Sequence, residues 1–224
     1  MEKENYQKQL DLILQKLQPD SPKKPSLLLH ACCAPCSSYV IEYLAKFFDI
    51  TIFYYNPNIH PQKEYQRRLN ELEKFLSEFP EALRTKIQLI KTEYNPDEYF
   101  KAVNTENEPE LKTEPERGER CRRCYYLRMS RAYAYARENN FDFFTTTLSI
   151  SPHKDEQKIN TIGYTFVKLN DNKENLKFLP ADFKKKGGYL RSTLLSKQYG
   201  LYRQDYCGCV YSKQTNDRSS NNKE

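Results

Sequence analysis

Hydrophobic residues along the chain form two kinds of segment that alternate from end to end. Short runs of leucine, β-branched and aromatic residues predict five β-strands, and longer stretches with apolar residues at helical spacing lie between them. The predicted strands cover residues 26–30, 49–56, 86–94, 141–148 and 175–180. Because strands and helices alternate, the pattern predicts an α/β fold with a mainly parallel, five-stranded sheet flanked by helices.

Local signals predict where several of the helices begin and end. A helix over 37–48 would be capped by Ser37 or Ser38, and Pro61 would open a long helix that ends near residue 79. Gly200 would end the last helix. The other predicted helices cover 95–103, 120–140, 151–168 after an initial turn, and 189–200.

Three segments depart from this alternation. Residues 1–20 predict an amphipathic helix, whose apolar face carries Leu10, Ile13, Leu14 and Leu17. Residues 21–212 predict a single α/β domain, in which the polar, acidic segment 104–119 forms an exposed excursion. Residues 213–224 lack large apolar side chains and are predicted to be disordered.

The chain carries no apolar run long enough to span a bilayer, and its charged N-terminus lacks the apolar stretch of a signal peptide. We therefore expect a cytoplasmic protein with no membrane partner. Its thiols would then stay reduced, and seven cysteines are an odd number, so a disulfide scaffold is disfavoured. Metal binding or redox chemistry becomes the leading interpretation of the cysteines.

The net charge of +6 is moderately basic, and Lys, Arg and Tyr are interleaved over 121–137 and 182–206. Basic groups contact phosphates and tyrosine rings stack on bases, so these segments favour a nucleic-acid partner as much as ordinary solvated helix faces. Neither a Walker phosphate loop nor a G-x-G-x-x-G fingerprint occurs in the sequence, which disfavours an ATPase or a nicotinamide enzyme.

The cysteines form three groups: Cys32 and Cys33 with Cys36, Cys121 with Cys124, and Cys207 with Cys209. The C-x-x-C spacing is typical of metal ligands, and a helix start with several arginines would favour thiolates there. An iron–sulfur cluster, a zinc ion and free thiols all remain open from the spacing.

The last cysteine group has a different pattern from the other two. Cys207-Gly-Cys209 could form a small, strained disulfide with redox activity. The alternatives are two further metal ligands or two buried thiols.

Other polar residues follow the predicted strands. Asp182 could ligate iron or donate a proton, while Lys184, Lys185 and Lys186 could hold a phosphate or simply form a charged surface loop. His30 could donate a hydrogen bond to a metal ligand or pack inside its strand. His153 and Arg191 are candidates for substrate contact. In a parallel sheet the loops after strands one, two, four and five should converge on one crevice.

Taken together, these motifs resemble the epoxyqueuosine reductases of the QueH type. The matching stretches are "LLLHACCAPCSSYV", "FYYNPNIHPQKEYQRRL", "ERCRRCYYLRM", "FTTTLSISPHKD", "DFKKKGGYLRS" and "YRQDYCGCVYS", which run from about residue 25 to residue 212. The resemblance implies a fold related to the PP-loop, adenine nucleotide alpha hydrolase-like proteins. In that fold a cysteine loop, residues 31–36, would replace the phosphate loop.

The resemblance also implies an activity and a site. The enzyme would reduce the epoxide of epoxyqueuosine in tRNA, the last step of queuosine biosynthesis, with electrons from a ferredoxin- or thioredoxin-like donor. A [4Fe-4S] cluster would be held by Cys32, Cys33, Cys121 and Cys124, and Cys207 and Cys209 would be the redox-active pair. An additional iron ion would lie beside the cluster, with candidate ligands Cys36, Asp182 and His30.

Three other functions fit some of the same residues. A zinc-stabilised tRNA-binding module would need no reductant. A PP-loop-like tRNA sulfurtransferase would need ATP, which the missing phosphate loop argues against. A thiol–disulfide oxidoreductase would need only Cys207 and Cys209.

Overall fold

The computed structural model describes residues 3–168 and 175–213. The strands in this part of the chain form one parallel sheet in the order β3-β2-β1-β4-β5. They are β1 (Ser26–His30), β2 (Asp49–Tyr54), β3 (Gln88–Lys91), β4 (Phe143–Thr146) and β5 (Lys177–Phe178). The predicted five-stranded α/β fold is therefore confirmed, whereas its likeness to the PP-loop proteins stays a prediction.

Eight α-helices are found in the described residues: α1 (Tyr6–Leu14), α2 (Ala34–Leu44), α3 (Gln62–Glu78), α4 (Pro80–Arg84), α5 (Pro96–Val103), α6 (Glu119–Glu138), α7 (Glu156–Lys168) and α8 (Gly188–Gln198). Short 3-10 helices cover Pro109–Lys112 and Thr147–Ile150. The sequence did not predict α4. It forms because Pro80 forces Phe79 into an extended conformation, which ends α3 and opens a new helix at the proline.

Helix α2 begins earlier than predicted, and the proposed caps are wrong. Cys33 is the extended residue before the helix, and Pro35 lies in its first turn, where a missing N–H costs nothing. Ser37 and Ser38 are inside the helix and donate their hydroxyls back to the carbonyls of Cys33 and Pro35. As a result, the cysteine loop is continuous with the N-terminus of α2.

Helices cover both faces of the sheet, so the central strand is buried on each side. Leu27 and Leu29 of β1 pack into one apolar cluster with α1, α2, α3 and α8. Leu28, which points the other way, packs into a second cluster with α6 and α7. This burial on both sides explains why β1 reads as a continuous apolar run.

The segments outside the alternating pattern are attached to this core at specific points. Leu10 and Leu14 of α1 are buried in the first cluster. Within 104–119, Thr105 and Leu111 are buried, although many of their neighbours are exposed. Most of the predicted disordered tail, 214–224, lies outside the described residues. No helix in the described part of the chain is both long and apolar enough to span a membrane.

Candidate metal and redox centre

All three cysteine groups meet around two adjoining cavities beyond the carboxyl ends of the strands. The larger cavity has a volume of about 260 Å³ and the smaller one about 20 Å³, which is room for roughly one water molecule. Five residues line both cavities: Glu116, Arg128, His153, Lys154 and Cys207. The two spaces are therefore parts of one site.

The cysteine loop brings Cys32, Cys33 and Cys36 together. Their sulfur atoms all lie within 4.8 Å of one another, and the Cys32 and Cys33 sulfurs are 3.7 Å apart. The extended backbone of Cys33 and the helical turn that follows place three soft donors on one spot. This group could hold a metal ion.

Protons are shared unequally within this triad. Hydrogen bonds from Cys33 and Cys36 lower the pKa of Cys32 well below its usual range, helped by the Arg128 charge. The same hydrogen bond to Cys32 raises the pKa of Cys33 to about 12. A thiophilic metal ion would displace the remaining protons, since metal ligands must be deprotonated. The donor chemistry of the triad fits such an ion.

Cys121 and Cys124 lie in the first two turns of α6 and line the smaller cavity. Burial raises the pKa of both thiols, that of Cys121 to about 11. The Arg120 charge does lower the pKa of Cys121, as the sequence suggested, but burial outweighs it. The guanidinium groups of the flanking arginines are bound elsewhere: Arg120 to the carbonyl of Leu111, Arg122 to Glu119, and Arg123 to Glu108 and Glu119.

The third group comes from the segment after α8. Cys207 lines both cavities, whereas Cys209 is buried and lines only the smaller one. All seven cysteines are free thiols in this structure, so the Cys207–Cys209 disulfide is not formed in it. The hydroxyl of Tyr99 lies 3.0 Å from the Cys209 sulfur.

Two cations that the sequence analysis did not single out face these sulfurs. Arg128 is buried, donates to the Asn56 side-chain oxygen at 2.6 Å, and leaves its Nε without a hydrogen-bond partner. Although burial disfavours its charge, the sulfurs of Cys124 and Cys32 raise the pKa of Arg128. The sulfurs of Cys207 and Cys32 likewise raise the pKa of Lys154 against its own burial.

One sequence signal could have identified Arg128. It lies four residues after Cys124 in the predicted helix, so both side chains share one helical face. Lys154 directly follows His153, which was chosen, in the loop after β4. Gln204 carried no signal, yet its side-chain amide donates to the Cys33 sulfur at 3.0 Å.

His30 lies on β1 with both ring nitrogens in use. Its Nδ1 is 2.8 Å from the Thr146 hydroxyl and its Nε2 is 3.1 Å from the Tyr55 carbonyl, which can only accept. Nε2 therefore carries the proton, and Nδ1 accepts from the threonine. Burial lowers the pKa of His30 to about 3, so the ring stays neutral. This arrangement favours the packing interpretation of His30.

The lysine loop, residues 182–187, is not brought to the cavities. Asp182 is buried, and its carboxylate lies 2.7 Å from the ammonium of Lys184, which also contacts Glu156 at 2.8 Å. Lys186 pairs with Asp11 of α1 at 2.7 Å. None of these five residues is among the described residues that line either cavity.

Of the other predicted substrate contacts, Arg191 and Lys185 do not line the cavities, whereas His153 does. Arg191 forms a two-point ion pair with Glu42 of α2. Lys185 is exposed. Only His153 of the predicted substrate-binding residues lines the cavities. Of the four loops that should converge, the one after β5 does not contribute.

The wall of the larger cavity also carries an aromatic and a basic side chain from the α8 region. Tyr189 is 39% exposed, and the Arg203 guanidinium lies 5.6 Å from the centre of its ring. Both side chains line the cavity near solvent. Such a pair can stack on a planar group and contact an anion.

Comparison with known proteins shows that the chain is similar to the members of one family. The family model described as "Epoxyqueuosine reductase QueH" matches residues 27–215. A Streptococcus pyogenes protein named epoxyqueuosine reductase QueH is 42% identical over 211 residues, which are 94% of this chain and 79% of that protein. The Thermotoga maritima protein of the same name is 35% identical over 190 residues, covering 84% of this chain and 90% of its own.

Proposed function

The chain belongs to the epoxyqueuosine reductase QueH family, and from this premise we propose that it reduces the epoxide of epoxyqueuosine in tRNA to an alkene, giving queuosine. This is a two-electron deoxygenation, in which the epoxide oxygen leaves as water after taking up two protons. The reaction would take place in the cytoplasm, and no step of it needs ATP or a nicotinamide.

The observation that carries the proposal is the convergence of three thiol groups and two cations on one site. We assign a [4Fe-4S] cluster to Cys32, Cys33, Cys121 and Cys124. The assignment is supported by the two adjoining cavities, which these cysteine groups border and which share Arg128 and Lys154 in their walls. Positive charges beside a cluster favour its reduced form, because each added electron makes the cluster more negative.

For an additional iron ion, the contacts favour Cys36 over the other two candidates. The Cys36 sulfur is within 4.8 Å of both Cys32 and Cys33 and also lines the larger cavity. Asp182 is held by Lys184, and both nitrogens of His30 are hydrogen-bonded. When bound, the iron centres would supply one-electron transfer and a Lewis acid for the epoxide oxygen.

The chain's own residues would bind and orient the substrate. The larger cavity is near the lower end of the range for small-molecule sites, about 300–1,000 Å³, so it suits one modified base rather than a stretch of RNA. Tyr189 can stack on that base while Arg203 contacts a phosphate. Lys154 lines the same cavity, where its ammonium group would donate a hydrogen bond to the departing oxygen.

An anaerobic reconstitution with iron and sulfide tests the proposal. The protein should take up about four irons and four sulfides, or one further iron, turn brown, and reduce epoxyqueuosine tRNA with dithionite. Cys121→Ser should lose most of the iron and the activity, while Ser130→Ala on the same helix should keep both. A colourless protein that retains only zinc after reconstitution would refute the proposal and support the zinc-stabilised tRNA-binding module.

A further inference from the structure

The Cys207–Gly208–Cys209 segment is unsymmetrical, and this asymmetry assigns different roles to its two sulfurs. We propose that a dithiol reductant attacks Cys207 to reduce the Cys207–Cys209 disulfide, and that Cys209 is the leaving sulfur, positioned by Tyr99. The inference rests on the proposed function and on the redox role that the family resemblance implies for this pair: its two thiols would supply the two electrons of epoxide reduction and be left as a disulfide. It adds the site at which electrons from an external dithiol enter the pair.

Accessibility separates the two sulfurs first. Cys207 is partly exposed and lines the larger cavity, which opens to solvent beside Tyr189 and Arg203. Cys209 is 5% exposed and lies behind it, in contact with the smaller cavity alone. Thiol–disulfide exchange requires in-line access to one sulfur of the disulfide. An attacking thiol that enters through the larger cavity reaches Cys207.

The backbone around Gly208 keeps the sulfurs from exchanging places. Gly208 has a φ of +104°, and a Cβ built on it would lie 2.9 Å from the Ile59 side chain. Its carbonyl accepts from the His60 N–H at 2.8 Å, and the Cys207 carbonyl accepts from Arg68 at 3.1 Å. The turn is therefore held in place by His60, in the loop after β2, and by Arg68 of α3.

Tyr99 is the second source of asymmetry. Its ring is buried on α5, and its hydroxyl is 3.0 Å from the Cys209 sulfur. In the disulfide neither sulfur carries a proton, so the Tyr99 hydroxyl is the donor of this hydrogen bond. The same O–H would face the Cys209 thiolate when the disulfide opens, which makes Cys209 the favoured leaving sulfur.

The reductive half of the cycle then balances without any further reagent. A thiolate of the dithiol forms a bond to the Cys207 sulfur, the Cys207–Cys209 bond breaks, and its electron pair goes to Cys209. The Tyr99 O–H stabilises that departing thiolate, which takes a proton from solvent. The second thiol of the reductant attacks its own sulfur in the mixed disulfide and releases the Cys207 thiolate. The dithiol has lost two electrons and the pair has gained them.

Trapping of the mixed disulfide tests which sulfur is attacked. Reconstituted Cys209→Ser and Cys207→Ser proteins are incubated anaerobically with glutathione disulfide, and the modified cysteine is located by peptide mass spectrometry. Cys207 in the first protein should be labelled at least about tenfold faster than Cys209 in the second, because the Cys207 sulfur is partly exposed and the Cys209 sulfur is buried. Equal rates, or faster labelling of Cys209, would overturn the proposal.

Tyr99→Phe tests the role of the phenol. Opening of the preformed disulfide by dithiothreitol should slow by about tenfold, because a hydrogen bond to a charged leaving group is lost. Tyr65→Phe is the matched control: it removes a phenol that binds the Thr92 carbonyl away from the thiols, and the rate should not change. An unchanged rate in Tyr99→Phe would remove tyrosine from the mechanism.

These outcomes are separable from failure of the proposed function. Neither measurement uses tRNA. If the oxidised holoenzyme contains no Cys207–Cys209 disulfide at all, the redox role of the pair is wrong. If the disulfide forms but is opened at Cys209, only the direction of attack is wrong, and epoxide reduction remains to be judged by its own assay.

Discussion

The cysteine loop and the lysine loop both leave the carboxyl edge of the sheet and run into the N-terminus of a helix. The helices they enter, α2 and α8, pack against each other. The cysteine loop brings three sulfurs together beside a cavity, and two of their residues, Cys32 and Cys36, line it. The lysine loop instead uses its charges inside the protein: Asp182, Lys184 and Lys186 are bound to one another or to α7 and α1.

The difference lies in the groups that surround each loop. Acidic residues from α1 and α7 reach the lysine loop and neutralise it, which fixes those helices to the sheet. Around the cysteine loop, Arg128 and Lys154 provide positive charge: both line the larger cavity, and both lower the pKa of Cys32. Two loops at equivalent places in the fold can therefore serve binding in one case and architecture in the other.

The substitution Cys32→Ser is expected to have the largest effect, and it tests whether the cysteine loop is the one that serves binding. We expect the iron content to fall to a fraction of the wild-type value and epoxide reduction to fall by at least about 100-fold, since a ligand counts for more than a group that orients one. Iron analysis and a tRNA assay measure both, and circular dichroism verifies that the fold remains. Full activity in this variant would contradict the assignment of the cysteine loop to the site.

A substitution in the lysine loop should have the opposite profile. Asp182→Asn breaks a buried ion pair with Lys184, so the free energy of unfolding should drop by about 1–3 kcal/mol. Iron content and kcat per folded molecule should stay within twofold of wild type. Denaturant titration and the tRNA assay give the two numbers. If kcat collapses while stability is kept, Asp182 is a proton donor or iron ligand after all.

Lys186→Ala should have the smallest effect. Its partner Asp11 is on α1 and the lysine is largely exposed, so we expect a loss below about 1 kcal/mol that shrinks with added salt. Although burial works against it, hydrogen bonds from Lys186 and Gln7 lower the pKa of Asp11. This contribution is complete above the unfolded pKa of 3.8 and is lost as pH falls through the lower folded value.

Unfolding curves at neutral and acidic pH check this last expectation. Wild type and Lys186→Ala should differ near pH 7 and converge below the folded pKa of Asp11. A variant that unfolds like wild type at both values would show that the ion pair adds no stability.

The sequence was most informative where a signal is local. The run 26–30 coincides with β1, and the alternation of strands and helices was enough for the fold class. The start of α2 was missed because Pro35 outweighs the serine caps that follow it. The roles of His30 and Asp182 depended on residues far away along the chain: Tyr55 and Thr146 bind His30, and Glu156 binds the Lys184 that pairs with Asp182.

The same reason explains what was found and missed in the site. The three cysteine groups were visible because thiols are rare and their spacing is informative. Arg128 and Lys154 are ordinary in sequence and become special only when α6 and the loop after β4 are folded beside the sulfurs. Charge complementarity across elements has no one-dimensional signature.

The first two turns of α6 are tied to segment 104–119 by three sets of bonds. The Glu114 carboxylate accepts hydrogen bonds from the N–H groups of Glu119 and Arg120. The Arg120 side chain donates to the carbonyls of Leu111 and Lys112. Arg123 forms an ion pair with Glu108. Cys121 and Cys124 lie in these same two turns. A metal centre that holds these two cysteines in place would therefore also hold segment 104–119 in place. We expect a protease to cut the exposed peptide bonds of 104–119 more slowly as more of the protein binds its metal centre.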